Sequence, residues 1–97
     1  MSYHSLYTVI LEYRGGTYIS QVRSESPEAA VKKWSTTISD QNLRMWGLDR
    51  AELVLLSNDN PLPLENCLNI WCLTGSAKNH LMLLNLIATE TKNRAQQ

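Results

Sequence analysis

The chain has 97 residues, 43% apolar and 19% charged, and nine basic side chains balance nine acidic ones for a formal net charge of zero. That length fits one domain over residues 1–97, and the composition excludes an intrinsically disordered chain. The charge balance excludes a globally basic surface of the kind that neutralises phosphates, leaving at most a local basic strip.

The first five residues, Met1-Ser2-Tyr3-His4-Ser5, place no basic segment before an apolar one, so no signal peptide is expected. The longest unbroken apolar runs, such as residues 53–56 and 81–84, are too short to span a bilayer. The expectation is a soluble, cytoplasmic protein with no membrane partner. Residues 1–5 and 90–97 read as frayed tails.

From Tyr7 the chain alternates. Tyr7, Val9, Leu11 and Tyr13 fall on one face, and Thr8, Ile10, Glu12 and Arg14 on the other. This period of two, rich in β-branched and aromatic residues, predicts a strand. Gly15-Gly16 follows, and then Thr17 to Arg23 is strand-like again. A glycine loop that cradles phosphate leads from a strand into a helix. This one leads into a second strand, so a primed hairpin turn is expected at the two glycines. That turn sets Tyr13 opposite Tyr18 and Val9 opposite Val22.

Ser26-Pro27-Glu28 is a helix start: an N-cap hydroxyl, a proline at the first helical position and an acid in the first turn. The helix is expected to run through Trp34 toward Ile38, with Ala30, Trp34 and Ile38 as its buried stripe and Val31 and Thr37 at the margin. It lies over the Tyr7/Val9/Leu11 face. Asp40 is expected to cap a second, short helix bearing Leu43, Met45 and Trp46, with Gly47 closing it. Residues 51–57 read as a third strand, and residues 58–66, with Pro61 and Pro63, as a loop. Residues 68–74 are strand-like, 75–79 form a turn, and 81–89 return as the last strand, a buried helix being the alternative. The fold class is therefore α+β, an antiparallel sheet of about five strands in the order β-β-α-(short α)-β-β-β, with the helices on one face.

Nothing in this pattern carries recognisable chemistry, so the expectation is a protein that is not an enzyme and uses no cofactor. His4 and His80 have no Cys, Asp or Glu at metal or nucleophile spacing and read as solvated surface residues. Cys67 and Cys72 lie five apart, which is no zinc spacing, and read as reduced, buried thiols. Ser57-Asn58-Asp59-Asn60 offers oxygen ligands but lacks the glycine and bidentate glutamate of a calcium loop, so no metal site is expected.

The most informative feature is a surplus of apolar residues in the last two strands. Leu68, Ile70 and Cys72 group with Met82, Leu84 and Leu86. Trp71, Leu73, Leu81, Leu83 and Ile87 group on the opposite face, broken by Asn69 and Asn85. A half-buried antiparallel strand alternates apolar with polar, and these do not. Either the short helix or the long loop folds over the second face, or a partner covers it. The favoured reading is a non-enzymatic interaction module that forms a homodimer, or binds another protein, through this face or an edge strand. Trp71, Leu73, Leu83 and Ile87 are its interface candidates, with Asn69 and Asn85 as polar specifiers.

Strand, strand, helix, with Ser26-Pro27-Glu28-Ala29-Ala30 opening the helix, resembles the start of small bacterial domains of the HicB antitoxin type. The resemblance covers the first third of the chain and rests on a hairpin joined to a capped helix, a shared device that identifies no family. The alternative function is accordingly a nucleic-acid-contacting regulator or antitoxin-like domain. Arg14, Arg23, Lys32 and Lys33 are then the phosphate contacts.

Overall fold

A computed structural model describes residues 4–91. It is an α+β fold: a five-stranded, fully antiparallel sheet in the spatial order β2-β1-β5-β4-β3, with three helices against one face. The strands are β1 (Ser5–Tyr13), β2 (Gly16–Ser24), β3 (Leu62–Pro63), β4 (Ile70–Ala77) and β5 (His80–Thr91). The helices are α1 (Pro27–Thr37), α2 (Asp40–Trp46) and α3 (Arg50–Ser57). Strand β1 begins at Ser5 and β5 runs to Thr91, so strands reach into both segments expected as tails; 1–3 and 92–97 lie outside the described residues.

The first hairpin turns at Arg14-Gly15, one residue earlier than expected, and Tyr13 pairs with Gly16. Both turn residues have positive φ, 52° and 83°, which is the type I′ requirement that glycine meets without steric cost. The register is displaced by two residues from the expected one. Leu11 faces Tyr18, Val9 faces Ser20 and Tyr7 faces Val22. A two-residue displacement keeps every side chain on its expected face.

Helix α1 forms where its start predicted. Ser26 Oγ accepts the Ala29 N–H at 3.1 Å, and Pro27 opens the first turn. Ala30, Val31, Trp34 and Ile38 are buried as expected, while Thr37 is exposed. Ser39, and not Asp40 as expected, caps α2 through the Asn42 N–H at 3.1 Å, with Asp40 in the first turn, and Gly47 ends that helix in the left-handed region at φ 79°.

Residues 51–57, expected as a strand, form α3. The Asp49-x-x-Glu52 spacing explains it: Glu52 Oε1 accepts the Asp49 backbone N–H at 2.8 Å, half of a capping box. Leu53 and Leu56 then point into the core while Val54 and Leu55 point out, a helical and not an alternating pattern. The fifth strand comes instead from the proline loop, where Leu62 and Pro63 pair with Cys72 and Trp71.

The core fills the space between helices and sheet. Tyr7, Val9, Leu11 and Tyr13 from β1 meet Met82, Leu84 and Leu86 from β5, under Trp34, Leu43, Leu53 and Leu56. Lys78, in the β4–β5 turn, ties the sheet to the start of α3. Its Nζ donates to Glu52 Oε1 at 3.0 Å, Asp49 Oδ2 at 3.4 Å and Gly47 O at 3.3 Å.

Candidate interaction face

The second hairpin decides which residues look away from the helices. A five-residue turn at 75–79 would pair odd-numbered residues of β4 with odd-numbered residues of β5. The observed turn is only Lys78-Asn79, with positive φ of 52° and 68°, and Ala77 pairs with His80. Odd positions therefore pair with even ones, and an odd displacement sends a strand's partners to the other face. Trp71 and Leu73 pair with Leu86 and Leu84 on the helix-covered side.

This regroups the expected interface residues. Leu73 is buried in the core, and Trp71 packs against Tyr7 with ring centroids 6.0 Å apart and planes tilted by 60°. Neither stands on the open face. Asn69 lies in the bend before β4 at φ 65°, and its carbonyl accepts the Ala88 N–H at 2.9 Å. Leu83, Asn85 and Ile87 do stand together on the face that no helix covers. Ile70 and Cys72, expected beside Met82 and Leu84, join them there through the pairs Ile70–Ile87 and Cys72–Asn85.

Strand alternation adds Leu6 and Ile10 from β1 and Ile19 from β2. The sequence carried the signal for Ile19, since Thr17, Ile19, Gln21 and Arg23 share one parity. The result is a sheet face with an apolar middle. Ile19 is 65% exposed, Leu81 66% and Leu62 64%. Polar side chains stand toward both ends: Glu12, Thr17, Thr74 and Ser76 at the end of the two hairpin turns, and Thr8, Gln21 and Thr89 at the other, where they satisfy one another. Gln21 Nε2 donates to Thr8 Oγ1 at 3.0 Å, the Thr8 and Thr89 hydroxyls meet at 3.0 Å, and Thr89 Oγ1 donates to Leu6 O at 3.0 Å.

The thiols are not buried as expected. Cys67 is exposed because it falls in the loop before β4, and Cys72 is half-buried because it points to the open face; both are free. The histidines lie apart from them. His4 Nε2 comes within 4.0 Å of Glu25 Oε2, and His80 meets Tyr13 edge to face with centroids 6.3 Å apart. Among the described residues no group of three or more His, Cys, Asp and Glu side chains comes together. Two shallow hollows, of about 240 and 320 Å³, flank β4. They share Asp59, and their volumes lie at or just below the lower end of the range of ordinary ligand pockets. No helix of the described residues is long and apolar enough to cross a membrane.

The four basic candidates do not form one strip. Arg14 is in the hairpin turn, and Arg23 pairs with Leu6 near the other end of β2, roughly 23 Å away at the usual rise per residue. Lys32 and Lys33 lie in α1, across the sheet from the open face. Lys33 Nζ donates to Arg23 O at 2.8 Å, and Lys32 Nζ donates to Ser57 O at 3.3 Å, which helps close α3.

No family model matches this chain, and no curated protein or solved structure matches it.

Proposed function

We propose that this chain is a non-catalytic interaction module that works as a homodimer, each copy burying the open sheet face of the other. The observation that carries this reading is the one-sidedness of the sheet. Three helices cover one face, while Leu6, Ile10, Ile19, Leu81, Leu83 and Ile87 stand on the face that none of them touches. An antiparallel sheet with one face in water places polar residues there. Along β5 the outward positions 81, 83 and 87 are Leu, Leu and Ile instead.

Size and charge agree with a second copy as the occupant. Four strands about 30 Å long at a spacing of about 4.8 Å give roughly 570 Å² in projection. Side-chain relief brings this toward the roughly 800 Å² that each partner buries in a standard interface. The face carries two charges of opposite sign, Glu12 beside Leu83 and Arg23 beside Leu6, and the formal net charge is zero, so no net like charge holds two copies apart.

Molecular mass by light scattering over a concentration series tests the reading. The expected result is a dimer that dissociates on dilution, and a Leu83→Asp variant that stays monomeric while unfolding at nearly the midpoint of wild type diluted to its monomer. A wild-type monomer at every concentration would overturn it.

A further inference from the structure

Building on the homodimer reading, we propose that Asn85 is the specificity determinant of the interface: its carboxamide pairs, across the twofold axis, with the Asn85 carboxamide of a second copy. The strand register places it at the centre. Ile19, Ile10, Asn85, Cys72 and Leu62 form one lateral row, one residue from each of β2, β1, β5, β4 and β3. Asn85 is the middle member of that row, with Ile10 on one side and Cys72 on the other. Along its own strand the same-face neighbours are Leu83 and Ile87.

The contrast with the other polar groups of this face gives the position its meaning. Gln21, Thr8 and Thr89 hydrogen-bond within the chain, and Glu12, Thr17, Thr74 and Ser76 are exposed toward the turn end of the face, where solvent meets them. The Asn85 carboxamide, half-buried among apolar side chains, has no hydrogen-bond partner among the described residues. In a single copy, solvent meets its donor and its acceptor. An apolar covering removes solvent and supplies neither, which weakens association roughly tenfold to a hundredfold. An apolar ligand or a uniformly hydrophobic partner is thus a poor fit. The occupant has to present a donor and an acceptor together at this point.

A second copy does so by symmetry. An isologous interface brings a residue on its axis against itself, and a carboxamide offers an N–H to the other's carbonyl while accepting one in return. Displacing the two sheets by one residue strands both amides among apolar side chains. The pair therefore fixes register, as a single buried asparagine does in a coiled-coil seam. No acid or base would serve, because two like charges on the axis repel.

Charge exchange at this position is the test. Residue 85 points away from the core, so Asn85→Asp and Asn85→Lys are first checked, at a concentration where wild type is monomeric, for an unfolding midpoint equal to that of wild type. Each alone is expected to dimerise at least about tenfold more weakly than wild type, and an equimolar mixture is expected to restore a 1:1 heterodimer. Native mass spectrometry of the mixture reads that species directly. A wild-type dimer whose single variants keep wild-type affinity, or whose mixture restores nothing, overturns the Asn85 pair and leaves the dimer standing. A wild-type monomer overturns the dimer itself. Asn85→Val provides a second measurement: the expected outcome is tighter association with more than one species by mass. A single dimer of unchanged affinity counts against the asparagine as a specifier.

Discussion

Trp34 has no exposed surface, yet its indole N–H still finds the Ser20 hydroxyl at 3.1 Å. One side chain from α1 thus fills the centre of the core and satisfies its polar atom on β2. Trp34→Ala is expected to cost about 3–5 kcal/mol through the cavity it leaves. Against a total of about 5–15 kcal/mol for a domain of this kind, denaturant titration should show a severe loss. Tyr7 makes a second residue-scale prediction. Burial raises its phenol pKa above the ordinary 10.0, the Glu28 charge adds to this, and the Ser5 hydrogen bond opposes it. Folding therefore favours the neutral phenol, a contribution fully present below pH 10 and lost as pH rises through the raised folded value. Lys78, raised chiefly by its bond to Glu52, acts in the same direction above its ordinary 10.5. The denaturant midpoint is expected to fall above pH 10, with a shallower fall in Tyr7→Phe. The spacing of Ala30, Trp34 and Ile38 made the buried stripe of α1 legible. The burial of Ser35 was not, because its hydroxyl is satisfied locally by Lys32 O at 2.7 Å, and local satisfaction leaves no periodic trace.

At the scale of elements, caps decided what could be read in advance. Ser26-Pro27 announces α1 because both residues act within a single turn. Ser26→Ala is expected to cost about 1 kcal/mol, seen as a Tm lower by about 4–8 °C with little change in the folded circular dichroism spectrum. Helix α3 was missed although Asp49 and Glu52 carry a similar signal. The apolar run Leu53-Val54-Leu55-Leu56 drew the reading toward a strand, and a short apolar run does not distinguish the two. Tertiary packing settles it: Leu53 and Leu56 reach the core, and the Lys78 ammonium anchors the acids at the first turn. The β4–β5 hairpin was legible as two strands and a turn but not in register. A turn with Lys78 and Asn79 both at positive φ has no glycine to mark it.

For the whole molecule, the surplus of apolar residues was legible, while its placement was not, because placement follows from the parity of one turn. The faces can now be separated by mutation within a single strand. Leu11 is fully buried under the helices, whereas Ile10 beside it faces away. Leu11→Ala is expected to cost about 2–5 kcal/mol of stability. Ile10→Asp is expected to leave the unfolding midpoint of the dilute monomer nearly unchanged and to weaken self-association, measured by sedimentation at several concentrations. Finding the reverse pattern would place the core on the wrong side of the sheet.

The tryptophans obey the same division. Trp34 lies in the core, Trp46 stacks on Tyr18 at a centroid distance of 4.8 Å, and Trp71 packs beside Tyr7, all on the side of the helices. Intrinsic emission is consequently a gauge of unfolding that is blind to whatever docks behind the sheet. Dilution of an assembled sample should halve its mass and leave its fluorescence spectrum where it was.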